Sequence, residues 1–323
     1  MPASPRDLLK LQVGTEVAWG TPVAPTAELP LASDITLTPI VESTVHEDMR
    51  GTLSPGAIAT SDRIAGEGSI STALSYEQLP YWWDNVFSEA TPSGGGPYQR
   101  DYAAPTTAVT TPRVLTVVHG EGSFVYGLTG ALITDHSITI ESNAPWTCSN
   151  DMIGKQVLDD TFASLSILSA TPIMGNDTTL YIDAWGGTIG TTAVTASFFS
   201  AELSYSTGRE LVHAVGSKTP ITYVENRTSG TLTLTLEVTS QTEAYVTSLL
   251  GGTLTQHQIR IKATTGASEI AQIDFAGTLT SAPEIFTDTD GVITYELEWT
   301  GTYNSTLGNW MEATVTNGVA TLA

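Results

Sequence analysis

The chain has 323 residues, and its 34 Asp and Glu against 12 Lys and Arg give a formal charge of −22. That sign argues against tight DNA or RNA binding, because affinity for phosphates comes from basic groups that displace counterions. A hydrophobic fraction of 41% and a mean hydropathy of +0.04 describe a foldable chain of roughly two domains of about 150 residues each, and no apolar run reaches the roughly 18 residues of a membrane-spanning helix.

Residues 1–8 lack the apolar core of a signal peptide, so synthesis in a cytoplasm is expected. Residues 1–33 read as an N-terminal arm. Period-two alternation then sets in, with one dry and one wet side per strand. Strands are expected at 34–39 and from Gly68, followed by a helix over 75–88 in which Leu79, Trp83 and Phe87 recur at i, i+4. Pro80 falls in its first turn, where a missing N–H costs little. Residues 90–111 read as a flexible loop, and strands follow at 113–118, 124–135 and 137–141. A domain break is placed between Asp159 and Asp177. Further strands are expected at 180–184, 198–205 and 231–238, then a helix over 240–250 stopped by Gly251 and Gly252. Strands at 258–263, 271–281 and 292–300 complete the pattern, the last preceded by the Asp290-Gly291 hairpin signal. Two long polar connections, 41–66 and 206–230, interrupt it; connections of that length are generally functional.

The pattern is written twice. Glu16-Val17-Ala18-Trp19-Gly20-Thr21 recurs as Ile182-Asp183-Ala184-Trp185-Gly186-Gly187, and Gly68 through Leu74, Trp83 and Phe87 recurs as Gly230 through Leu236, Tyr245 and Leu249. Gly130 through Ile138, Glu141 and Asp151 recurs as Gly277 through Ile285, Asp288 and Glu298. The reading is therefore a duplicated, mainly antiparallel all-β protein with one short helix per repeat: copy 1 over 34–165 and copy 2 over 166–323. Its paired acids, Glu141 with Asp288 and Asp151 with Glu298, together with Glu296, form rows on a wet sheet face if both copies join one sheet.

Catalytic and metal-binding patterns fail on inspection. Cys148 is the sole cysteine, and His46, His119, His136, His213 and His257 show no metal-ligand spacing. Gly66-Glu67-Gly68-Ser69 and Gly120-Glu121-Gly122-Ser123 run into strands, where no helix N-terminus could hold a phosphate. Asp288-Thr289-Asp290-Gly291 departs from a calcium loop at Phe286 and Leu297. No enzyme, cofactor or metal is expected.

Gly14-Thr15-Glu16-Val17-Ala18-Trp19-Gly20-Thr21-Pro22, with Asp34-Ile35-Thr36-Leu37-Thr38-Pro39, resembles the start of the tail tube (major tail) proteins of long-tailed bacteriophages. Gly68-Ser69-Ile70-Ser71 leading into Leu74-Ser75-Tyr76-Glu77-Gln78-Leu79-Pro80 resembles the same family's strand-to-helix segment. The resemblance implies a β-sandwich or half-barrel with a flanking helix, whose subunits form stacked rings in the virion tail through which genomic DNA passes. It implies as partners further copies of the chain, a tape measure protein, and tail terminator and distal tail proteins, with no membrane. The long loop of the family reaches the neighbouring ring, a role that falls here on 41–66 and 206–230. His46, Asp48, Arg50, Arg63, Arg209, His213 and Lys218 are the candidate contacts, and Glu141, Asp151, Asp288, Glu296 and Glu298 the candidate lumen acids. Two tube-like units per chain predict a ring of three chains with pseudo-six-fold symmetry. If copy 2 is a decoration outside the tube, the ring has six. The alternatives are another phage structural protein of the capsid or baseplate, or an acidic cell-surface adhesin or carbohydrate-binding module.

Overall fold

The computed structural model describes residues 8–30, 34–46, 58–122, 124–266, 268–281, 284 and 287–322. The first half contains β1 (Lys10–Thr15), β2 (Ala27–Leu29), β3 (Asp34–His46), β4 (Ile58–Ala73), α1 (Leu79–Val86), β5 (Tyr98–Ala103), β6 (Leu115–Glu121), β7 (Phe124–Glu141), β8 (Thr147–Gly154) and β9 (Gln156–Asp159). The second contains β10 (Thr178–Ala184), β11 (Phe198–Ser206), β12 (Arg209–Val212), β13 (Thr222–Glu225), β14 (Ser229–Glu237), α2 (Ser240–Leu250), β15 (Gln256–Thr265), β16 (Glu269–Ser281), β17 (Thr287–Thr289), β18 (Val292–Gly301) and β19 (Met311–Asn317).

Antiparallel pairing links β3, β4, β8, β7, β11, β14, β18, β16, β15 and β10 in that order. The halves meet at β7 and β11, where Ile138 lies opposite Leu203. Within each half the pairings follow one scheme. β1–β6–β7 with β9, and β3–β4–β8–β7, correspond to β10–β15–β16 with β19, and β11–β14–β18–β16. The strand β5 has no such counterpart; it pairs with β19 of the other half.

Alternation explains why these segments are strands. In β14, Leu232, Leu234 and Leu236 are 0% exposed while Thr231, Thr233 and Thr235 face water in part. The dry side collects Trp82, Trp83, Trp146 and Trp299, each 0% exposed. Burying such rings contributes several kcal/mol apiece relative to truncation. Phe87 meets Tyr205 at 5.1 Å between ring centroids, joining the halves through their side chains as well.

The second layer, β2–β1–β6–β7–β9, shares β7 with the first. The strand changes sheets near Gly130, whose φ of +65° suits glycine, and a Cβ there would meet Trp19 Nε1 at 3.0 Å. The Glu16 carboxylate holds this bend, accepting from Gly20 N at 2.6 Å, Gly130 N at 2.7 Å and Thr116 Oγ1 at 2.8 Å. Trp19 Nε1 donates to the Gly130 carbonyl at 3.1 Å. Burial pushes the Glu16 carboxyl above its ordinary value, and these donors oppose the shift.

Several expectations change. Segment 1–33 contributes β1 and β2 to the body of the first half, residues 90–111 contain β5, and β7 runs unbroken through the gap expected at 136. Residues 41–46 and 58–64 extend β3 and β4 into one hairpin arm, and β12 with β13 forms a second. Interspersed polar residues made both look like loops, but Val41, Val45 and Ile64 in the first arm and Leu211, Val212, Tyr223 and Val224 in the second punctuate paired strands.

Candidate functional site

The wet face of the long sheet is the most distinctive surface. Its rows can be followed strand by strand: Glu141, Ser200, Thr235 and Glu296 lie opposite one another in succession. The next row is Thr139, Glu202, Thr233 and Glu298. Further along, Ser71, Ser149, Ser137, Ser204, Thr231 and Thr300 form a row of hydroxyls that Asp34 of β3 continues opposite Ser71. Ser69, Asp151, Asp135 and Ser206 form another. Glu67 and Asp34 point to the same side from β4 and β3 by strand alternation. No Lys or Arg occupies any of these register positions. Short hydroxyl and carboxylate side chains therefore cover the face, with Asp135 directly opposite Asp151 despite the repulsion such a pair costs.

The sheet thus gathers Glu141, Asp151, Glu296 and Glu298 on one surface. Asp288 lies elsewhere. It sits opposite Ile293, on the side of the dry-face residues, and its Oδ1 accepts from Gly291 N at 3.2 Å within the hairpin turn. The matched acid pairs are also out of step. With Gly68 aligned to Gly230, Ser69 faces Asp151, but the equivalent Thr231 faces Thr300 and Glu298 lies opposite Thr233. Neither ladder contains a bulge, so the pairing itself aligns Asp151 with Thr300, two residues away from the match that the linear comparison made. The sequence reading missed Asp34, Glu67, Asp135 and Glu202. The alternation around Ala201, Glu202 and Leu203 carried the signal for Glu202.

The two arms leave the body side by side. Ile64 N donates to the Lys218 carbonyl at 2.8 Å, and Arg63 reaches Glu42 at 3.6 Å. Partial burial and then the Arg63 guanidinium push the His213 imidazole below its ordinary value, with Glu42 opposing. Arg63, His213 and Lys218 are therefore brought together within one chain. The backbone of His46 ends β3, and Asp48 and Arg50 lie outside the described residues.

Arg209 is not a surface contact. Its side chain is 0% exposed, paired with Glu225 at 3.1 Å. It also donates to the carbonyls of Asn85 at 2.6 Å, Val86 at 3.0 Å and Ile133 at 3.2 Å, and to Thr110 Oγ1 at 2.8 Å. The guanidinium satisfies carbonyls at the C-terminal end of α1, a position that favours a cation. Its five donors in a fixed fork explain why Arg fills it.

This combination is an antiparallel sheet spanning both halves, with an acid-and-hydroxyl face and arms that project beyond the body. A family model described as phage tail tube protein matches residues 8–301. The chain belongs to the phage tail tube protein family. It is a structural protein of the phage tail, of a family that self-assembles into a tube. No curated protein matches the sequence. The match spans both halves of this tail tube protein, and among its described residues no helix is long and apolar enough to cross a membrane.

Proposed function

We propose that the chain forms stacked rings whose inner wall is the acid-and-hydroxyl face, making a conduit through which genomic DNA passes during ejection. The observation that carries this reading is the continuity of that face across the β7–β11 junction, with carboxylates along it and no basic side chain at its register positions. A polyanion slides past such a wall without adhering, because nothing on it neutralises phosphate. Closing the sheet across chains also removes its free edges, which otherwise invite uncontrolled pairing.

The shared pairing scheme of the two halves supports a duplicated tube unit, and three chains would then supply six units per ring. Six chains per ring is the competing stoichiometry, with the second half outside the wall. Tape measure, terminator and distal tail proteins are the partners this role entails.

Negative-stain microscopy of the purified chain tests the assembly. Hollow rods with a regular ring repeat are expected, and monodisperse monomers at high concentration would sink the reading. Rotational averaging of end-on views separates three chains from six. For the wall, Glu296→Lys with Glu298→Lys should leave tubes intact and slow DNA passage; unchanged infectivity would remove the repulsive role of this face.

A further inference from the structure

We propose that Phe124 and Tyr126 mark the flank on which a second copy in the same ring docks, through Leu250 and Leu254 at the C-terminal end of its α2. The inference rests on the ring reading above, with both halves in the wall, and names the side-to-side contact that joins one chain to the next.

The junction between the two halves of one chain is the template. Gly130 and Gly277 are matched in the repeat, and counting back from them pairs Leu128 with Phe275, Tyr126 with Ile273 and Phe124 with Ala271. The ladders agree with the count, since Leu128 lies opposite Val157 of β9 and Phe275 opposite Met311 of β19. In the second half these positions are closed: Ala271 and Ile273 are 0% exposed. There the layer continues through β19 into β5, where Tyr102 lies opposite Ala313 and its ring meets Trp83 of α1 at 5.5 Å. In the first half the matched positions are open. Phe124 is 66% and Tyr126 47% exposed, and among the described residues β9 pairs with β7 alone.

The helices show the other side of the same gap. Every residue of α1 is buried, whereas in α2 only Thr242 and Val246 are. Residues 87–114 carry β5 on the way from α1 to β6, but residues 251–255 join α2 directly to β15. The described residues therefore offer α2 no strand in the place of β5. Leu250 and Leu254 are left 65% and 61% exposed.

A second copy is the occupant that these two flanks select. β9 packs over β3 and β4, at one end of the strand order, while Tyr245 of α2 meets His257 of β15 at 4.7 Å, toward the other end. One chain cannot bring the two patches together. A ring does, because it repeats the relation of the halves from each chain to the next, head to tail. Copies carrying −22 repel one another, so contact is favoured where the partner carries no charge. Glu121 and Asp159 lie opposite Phe124 and Tyr126 and rim that patch. Residues 244–256 meet this rim without a single charged side chain. Aromatic side chains such as Phe124 and Tyr126 are enriched at interfaces of this kind.

The experiment compares Phe124→Ser/Tyr126→Ser and Leu250→Ser/Leu254→Ser with the parent chain in sedimentation and negative-stain assays. All four positions are at the surface, so both variants should melt at the parent temperature. Each should raise the concentration needed for rings at least tenfold. Rings at the parent concentration in either variant would overturn the inference. A parent chain that makes no rings would instead overturn the ring reading.

A readout independent of these variants uses Phe124→Cys and Leu250→Cys, made singly. The native Cys148 is buried, and burial pushes its thiol up to about 12, so it does not compete for maleimide. Each introduced thiol should label in dissociated chains and be protected in rings. Equal labelling in both states, or protection already present in dissociated chains, would overturn the proposal.

Discussion

The two arms are built alike and held by opposite means. Arm two is anchored at its base by a side chain driven into the body: Arg209 and Glu225 are 0% and 3% exposed, and the pair shares Thr110. Arm one carries the reverse arrangement, with Arg63 and Glu42 45% and 56% exposed and 3.6 Å apart. The same two residue types therefore do different jobs. Away from water the pair fixes where an arm leaves the body; in water it marks a solvated side and contributes little.

The sharpest way to break this comparison is to remove one cation from each arm. Arg209→Ala should cost about 3–5 kcal/mol in urea unfolding, because it leaves Glu225 buried without its partner. Arg63→Ala should stay within about 0.5 kcal/mol. Arg209→Met combined with Glu225→Leu should cost less than Arg209→Ala alone, since no charge is then stranded. Similar losses for Arg63→Ala and Arg209→Ala would remove the distinction.

A second contrast sets buried histidines against the arm. Burial pushes His136 and His257 down to about 4. In both, the unfolded chain binds a proton that the folded chain refuses between about pH 6.5 and 4. Stability should therefore fall as pH drops through that window, by on the order of 3 kcal/mol for the fully buried His136. His136→Gln should flatten this part of the profile in thermal melts; an unchanged slope would show that His136 does not contribute to it.

The smallest effect belongs to the wall. Asp135→Asn should stabilise the chain by a few tenths to about 1 kcal/mol, because it relieves the charge opposite Asp151. The gain should shrink with added salt. A loss of stability would mean that the pair is favourable as it stands.

Local pattern was enough for much of this molecule. Leu232, Leu234 and Leu236 announced β14, and Thr239 with Gly251 bracket the helix α2 that was expected over the same residues. Glu296 and Glu298 were assigned to the polar side of β18 by alternation, and the structure places them there. Facts that depend on distant partners were not legible. Arg209 sits in a polar stretch of sequence, and its burial follows from α1, β7 and Thr110, each far away along the chain. The partner of β5 comes from β19 at the other end of the protein, so its short alternation read as loop. Asp288 failed for a related reason, since its side is set by its pairing with Ile293 in the β17–β18 hairpin, which the linear repeat does not show. Phe124 and Tyr126 were visible as residues but not as a surface, because exposure depends on what the body leaves uncovered.

The strand β7 has a consequence for how the protein comes apart. Its first residues belong to one layer, its last to the other, and its final stretch binds the second half through β11. Pulling either layer or either half away breaks hydrogen bonds on this one strand. Separating the halves therefore opens the β7–β11 and β5–β19 ladders together, and a thermal melt is expected to show one transition for both halves.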